Sequence, residues 1–551
     1  VSGERRRRPD DPARRGWCPS LARPMPTGDG LLARVHPPLG ILSATQLRSI
    51  AEAARRYGNG HVDITARGNL QIRGVTEATA SALAARLTEA GLADMRADGG
   101  PQRLTLTSAL AGFDADEAID VLALARAIEE IGLTVPGLPA KTLVAIDGGG
   151  RWGLAAAEAD VFVSATRAGW VAIGLASETA TDWFAEIAID DAPAAVGRVL
   201  SAFVATGRRR VRDLTETDRA QLVEALAEPS RASPSPLCGR GWPLRQQGSG
   251  EGCAGPGEFG AGRSPARSAG TLPHPKSGLA DLGSRRTDLG LARDLLGGRV
   301  FAGAPAPGLT ALPSGRTAIV VEAPFGRCTA DNLDAVVALV VGAPSLDEAE
   351  FHPRHSGAAQ RNPEPTTGYS VSGRFRVLAR SEPRNDGDAP EVRRAGPEAA
   401  LASEDAIRLT PDRGLVIFVP LARAASTLAG LATAGFVTDP ADPRRAVAAC
   451  PGAPACASGT TPVPDHAAQL ADAFAPFAAR GLTAHVSGCA KGCAHPRKAG
   501  LTLVADEERY RVVVDGAPGD GGHAPRLTFE AALDRVRRAD PARSLAGIFG
   551  P

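Results

Sequence analysis

Four cysteines near the C-terminal end carry the densest chemistry in the chain. Cys450 and Cys456 enclose five residues, Cys489 and Cys493 enclose three, and 32 residues separate the pairs. Thiolates paired this way suit a metal ion or an iron–sulfur cluster. Zinc sites favour two to four residues between paired cysteines, so the five-residue gap counts against zinc. Disulfides are unusual in the cytoplasm, the compartment expected for this chain. Gly452, Gly488 and Gly492, with Pro451 and Pro454, let backbone fold closely around a bound group. The reading carried forward is a [4Fe-4S] cluster on Cys450, Cys456, Cys489 and Cys493. Cys238 and Cys253 lie in a low-complexity stretch and are discounted. Cys18 and Cys328 are expected to be small core residues.

The chain that must position these thiols has 551 residues, 43% apolar and 22% charged, with net charge +1. That excludes a wholly disordered or collagen-like chain, and a nucleic-acid binder relying on bulk positive charge. Of 62 basic residues, four are lysine (Lys141, Lys276, Lys491 and Lys498) and 58 are arginine. Against this bias, each retained lysine is a candidate for a place where a guanidinium does not fit. No apolar run is long and uncharged enough to cross a membrane. The nearest, residues 415–437, reads as a buried strand and a core helix. No secretory signal is evident at the N-terminus.

Two stretches differ in composition. In residues 229–278, 26 of 50 positions are Gly, Pro or Ser, too little apolar surface to offset ordering entropy. Residues 342–396 lack regular periodicity, apart from a possible short strand at 373–379. Outside them the chain repeats. Pro38, Gly40, Ala44 and Leu47 match Pro324, Gly326, Ala330 and Leu333 at an offset of 286, and Thr65 and Leu70 match Thr410 and Leu415 at 345. The 59 extra residues of the second copy fall where composition shifts. Each copy reads strand, turn, helix, strand, with Ser43 capping a helix through Leu47, Ile50, Ala54 and Tyr57. Longer mixed segments follow each copy, with helices expected at 115–131, 192–205 and 466–479. The run Gly148 to Gly153 fits a dinucleotide fingerprint formally but is read as a hairpin turn.

The cysteine pattern, ending in S-G-C-A-K-G-C, resembles the cluster motif of the nitrite/sulfite reductase haemoprotein family. D-I-T-A-R-G-N-L-Q (Asp63 to Gln71) resembles a second motif of that family, and the duplicated units its ferredoxin-like repeats. R-G-W-C-P-S-L (Arg15 to Leu21) and S-G-C-A-K-G-C-A-H-P (Ser487 to Pro496) are most similar to its precorrin-3B synthase branch. The resemblance implies an α+β fold: duplicated ferredoxin-like half-domains plus two mixed α/β domains that hold cluster and tetrapyrrole. The boundaries expected are a disordered tail 1–15, half-domain 16–76, α/β domain 77–225, insert 226–280, half-domain 281–440 (insertion about 342–400) and cluster domain 441–551.

The resemblance also implies a tetrapyrrole pocket of Arg34, Arg67, Asn69, Gln71, Arg103 and Lys141, with Lys141 and Arg67 catalytic. The reductases carry a second lysine two positions after Lys141, where this chain has Leu143. The implied reaction is oxygen-dependent conversion of precorrin-3A to precorrin-3B, a ring hydroxylation with lactone formation in aerobic cobalamin biosynthesis. Electrons would come from an external NAD(P)H-dependent donor through the cluster, and a mononuclear iron would activate O2. His36, His61, His485 and His495 are candidate iron ligands. The alternatives are a sirohaem-dependent sulfite or nitrite reductase, and an inactive cluster protein damaged by its insertions. No nucleic-acid or membrane partner is expected.

Overall fold

The computed structural model describes residues 18–154, 158–178, 180–227, 305–342, 406–411, 413–520 and 524–549. The N-terminal tail, both low-complexity stretches, Cys238, Cys253 and the possible strand at 373–379 lie outside the described residues.

The first unit comprises β1 (Met25–Thr27), β2 (Gly30–Val35), β3 (Ile41–Leu42), α1 (Ala44–Tyr57), β4 (His61–Ile64), β5 (Leu70–Val75) and α2 (Glu77–Glu89). Ser43 caps α1 in a reciprocal box: its side chain accepts from Gln46 N, and the Gln46 side chain accepts from Ser43 N. Leu47, Ile50, Ala51 and Ala54 then bury one helical face.

An α/β unit follows: β6 (Thr105–Thr107), α3 (Val121–Leu133), β7 (Val144–Asp147), β8 (Val161–Arg167), β9 (Trp170–Ala176), β10 (Thr181–Ala188), α4 (Ala192–Ala205) and α5 (Glu216–Ala227). Helix α3 starts at Val121, not at residue 115. Asp120 caps it by accepting from Ala123 N at 2.9 Å, while Asp114 and Glu117 accept loop N–H groups of Asp116 and Gly112.

The second copy has β11 (Gly308–Ala311), β12 (Arg316–Glu322), β13 (Arg327–Thr329), α6 (Ala330–Val341), β14 (Ile407–Leu409), β15 (Gly414–Pro420) and α7 (Leu421–Thr433). A last unit has β16 (Val447–Ala449), α8 (Val463–Ala478), β17 (Ala484–Ser487), β18 (Ala499–Asp506), β19 (Arg509–Gly516), β20 (Arg526–Leu527), α9 (Phe529–Arg538) and α10 (Leu545–Phe549). The apolar run at 415–437 is β15 followed by α7, and no helix among the described residues is long and apolar enough to cross a membrane.

The two repeat units exchange a strand. β13 of the second copy closes the first sheet against β4, and β3 of the first copy closes the second sheet against β14. The turns before these strands share a strained geometry, with Leu39 at φ 52° and Phe325 at φ 55°. Helices α1 and α6 pack together, and one apolar core runs through both units.

The duplication extends into the α/β units. Each has a five-stranded sheet in which the first three strands run parallel and the last two are antiparallel. The glycine run at 148–153 therefore lies in a crossover between parallel β7 and β8, not in a hairpin.

Candidate functional site

Parallel pairing of β16 with β17 sets their following loops side by side. Cys450 leaves β16 and Cys489 leaves β17, so the two cysteine pairs meet at one sheet end. Gly488 N–H donates to Cys450 Sγ at 3.1 Å. Cys450 lies in electrostatic range of Cys456 and Cys489, and Cys489 in range of Cys493 and Cys456. Burial pushes the Cys450 and Cys489 thiols up, against the pull of nearby backbone N–H groups. Gly452 has φ +60°, and a Cβ there would meet Val463 N at 2.6 Å, so this turn requires glycine.

One tetrahedral ion with metal–sulfur bonds near 2.3 Å needs its sulfurs within about 4 Å of each other. Among the described residues, no three His, Cys, Asp or Glu side chains gather around one ion position. A four-iron cluster instead gives each thiolate its own iron, which suits two cysteine pairs brought together at one sheet end. The donor set and the glycine-lined backbone fit that group. For the expected mononuclear iron, too, no three such ligands gather among the described residues. His485 is fully buried with both ring nitrogens unpartnered, and its ring lies 5.8 Å from that of His495.

The basic residues assemble on the first half. The face of the first sheet turned away from α1 carries Arg34, Asp63, Gln71 and Arg73, while the alternate positions face the α1 core. Gln71 is cross-strand from Arg34; with its amide oxygen turned to Arg34, it accepts from Nε at 3.0 Å and Nη2 at 2.5 Å. Gln71 thus orients Arg34. Arg103 donates through Nη1 to Gly68 O at 2.9 Å and through Nη2 to Arg67 O, and Arg67 Nη1 reaches Lys141 O at 2.9 Å. The chain of contacts joins Arg67, Arg103 and Lys141. Lys141 is exposed, Arg103 buried.

Burial lowers Arg103 to about 10, and lowers Arg67 as well, with Arg210 adding repulsion. Burial, Arg34 and Arg103 together push His36 down to about 3, so its imidazole is neutral at physiological pH. Three buried polar atoms in this region, His36 Nδ1, Asn69 Oδ1 and Arg103 Nε, have no hydrogen-bond partner. Orphaned groups of this kind are costly unless a ligand satisfies them. Leu143 is buried in a small apolar cluster with Leu106, Ala145, Leu154 and Ala159. Cys328 is a core residue on β13, whereas Cys18 is half-buried and in electrostatic range of Arg67.

Sequence reasoning did not single out Arg73, Asp29 or Arg327. Arg73 is buried on β5, pairs with Asp29 and Asp63, and donates to Ala455 O inside the first cysteine loop. The only sequence signal was a charged residue at a strand position two after Gln71. The glycine run at 148–153 holds no phosphate cradle: Asp114 and Asp147 already accept from the N–H groups of Arg151, Gly149 and Leu154.

Residues 23–90 match the nitrite/sulfite reductase ferredoxin-like half domain. A curated precorrin-3B synthase from Sinorhizobium sp is 30% identical over 514 residues, covering 92% of this chain and 83% of that protein. A ferredoxin–nitrite reductase of Leptolyngbya laminosa is 37% identical over 116 residues, 21% of this chain and 22% of that protein. The solved structure of Mycobacterium tuberculosis NirA superposes with a TM-score of 0.52 at 20% identity, covering 92% of this chain and 80% of that one; it shows a shared fold. With this relative matched over most of both chains and its duplicated ferredoxin-like architecture, the chain belongs to the precorrin-3B synthase family of nitrite/sulfite reductase-like oxidoreductases.

Proposed function

We propose that this chain converts precorrin-3A to precorrin-3B, inserting one oxygen atom from O2 and reducing the other to water with two electrons and two protons. The observation that carries the reading is the guanidinium-lined face of the first half joined to a precorrin-3B synthase relative matched over 92% of this chain. Precorrins carry acetate and propionate arms, and fixed guanidinium forks are suited to such carboxylates. Gln71 holds Arg34, and backbone carbonyls hold Arg67 and Arg103, so the forks are set before substrate arrives. The neutral His36 imidazole, its Nδ1 buried without a partner, can hydrogen-bond a bound substrate without adding another positive charge beside these cations. Lys141 supplies a compact charge where the chain otherwise uses arginine. Leu143, buried among apolar side chains, leaves no second lysine for a small anion such as sulfite.

Cys450, Cys456, Cys489 and Cys493 would hold a [4Fe-4S] cluster, which supplies single electrons when bound. An external NAD(P)H-dependent donor would recharge it. The test is the visible spectrum and the iron, sulfide and tetrapyrrole content of protein purified without oxygen. The expected result is four irons' worth of cluster absorption without sirohaem bands, and conversion of added precorrin-3A. Sirohaem bands with sulfite or nitrite reduction would transfer the site to the reductase chemistry.

A further inference from the structure

We propose that Arg73 is a positioning residue for the cluster: it clamps the Cys450–Cys456 loop to the sheet of the first half and tunes the electrostatics there. The inference rests on the cluster reading above.

Arg73 is 2% exposed. A guanidinium so deeply buried persists only where its charge and donors are met. Its Nε and Nη2 take both oxygens of Asp29 at 3.0 and 2.9 Å, and its Nη1 takes Asp63 Oδ2 at 3.0 Å. Arg327, from the other repeat, donates to Asp63 Oδ1 at 2.8 Å. Two cations and two carboxylates balance. Nη2 also donates to Ala455 O, the residue before Cys456, and Gly28 N–H donates to the same carbonyl at 3.3 Å. Gly28 permits this approach, since a Cβ there would run into the Pro454 carbonyl oxygen. One cysteine loop is thus held by a charged fork from the opposite half of the molecule. The same strand carries Gln71 two positions earlier, so a single sheet face links the loop to the basic pocket. Adding an electron to a cluster is easier near a fixed cation. Without Arg73, the carboxylates of Asp29 and Asp63 outweigh Arg327 and reduction becomes harder.

The test compares full-length wild type with Gly28→Ala, Arg73→Lys and Arg73→Gln. Gly28→Ala keeps every charge but pushes the loop away; Arg73→Lys keeps the charge but loses the fork; Arg73→Gln loses the charge. Hydrogen–deuterium exchange of residues 450–461 is read on cluster-free protein. Gly28→Ala and Arg73→Lys are expected to speed it about tenfold or more, the scale of a lost charged hydrogen bond. On loaded protein, an EPR-monitored titration is expected to place Arg73→Gln at a lower potential than Arg73→Lys. Unchanged exchange in both Gly28→Ala and Arg73→Lys would overturn the clamp, and equal potentials in the two Arg73 variants would overturn the tuning. Should Arg73→Gln not fold, a potential in Arg73→Lys equal to wild type with faster loop exchange supports charge as the tuning element, and a drop as large as that of Gly28→Ala overturns it. A wild type that takes up no iron defeats the cluster reading, while the exchange arm still decides the clamp.

Discussion

The two α/β units share a sheet order, yet the loops leaving their first strands have opposite contents. After β16 the loop carries Cys450 and Cys456 and is held by Arg73 from the first repeat. After β6 the equivalent loop carries Phe113, stacked on Phe418 of the second repeat at 4.1 Å. Phe418 occupies the repeat position of Arg73, and Arg408 that of Asp63. The Arg408 guanidinium lies 4.9 Å from the Phe113 ring and donates to Ala111 O at 2.5 Å. Each repeat therefore docks on the α/β unit of the other half, through an ion network on one side and an aromatic plug on the other. One duplicated frame has kept a chemical opening in one half and filled the counterpart with packing.

The difference can be broken from either side. The largest effect is expected for Cys489→Ser. Iron and sulfide should fall to background and turnover should vanish, while circular dichroism stays that of the folded chain. In the aromatic half, Phe418→Ala opens a hole in a packed interface. A loss of about 3–5 kcal/mol is expected, read as a lower thermal midpoint, with iron per folded chain unchanged. Should Phe418→Ala empty the cluster site instead, the two halves are not chemically independent.

The repeat and the four cysteines were legible because each rests on local patterns: helical spacing after Ser43, and paired thiols among glycines. The second level of duplication was not, since its matching loops have diverged to Phe113 in one half and the Pro454–Cys456 turn in the other. The exchange of β3 and β13 involves two and three residues, too short for any periodicity. The sequence predicts helix from residue 115 because Ala115, Glu117 and Ala118 favour it, yet α3 starts at Val121. Asp114 and Glu117 are spent on loop N–H groups instead. Arg73 was invisible because its partners Asp29, Asp63, Arg327 and Ala455 come from distant parts of the chain. The basic pocket was legible only through its motif; Arg34 gains its meaning from Gln71 across the strand.

Smaller effects sharpen the pocket. Arg34→Leu should weaken precorrin-3A binding about ten- to a hundredfold, the range of a lost charged hydrogen bond. Fluorescence titration reads this, and cluster absorption should not change. Lys141→Arg should lower turnover several-fold with iron content intact; unchanged turnover would remove Lys141 from the chemistry. A further effect is on acid stability. His36 titrates near 3 when folded and near 6.5 as the ordinary imidazole, so between those values the unfolded chain binds more protons. Its contribution is complete above about pH 6.5 and drains as pH falls toward 3. His36→Gln should flatten the dependence of the thermal midpoint on pH in that window.

In the proposed reaction the guanidinium pocket holds a precorrin as substrate and O2 supplies the inserted atom. Precorrin-3A is incubated with the iron-loaded protein, a reductant and isotopically heavy O2, and the product is weighed by mass spectrometry. A product bearing one heavy oxygen atom is expected, formed only when cluster, reductant and O2 are all present. Unaltered precorrin-3A, with sulfite or nitrite consumed by the same preparation, would contradict it.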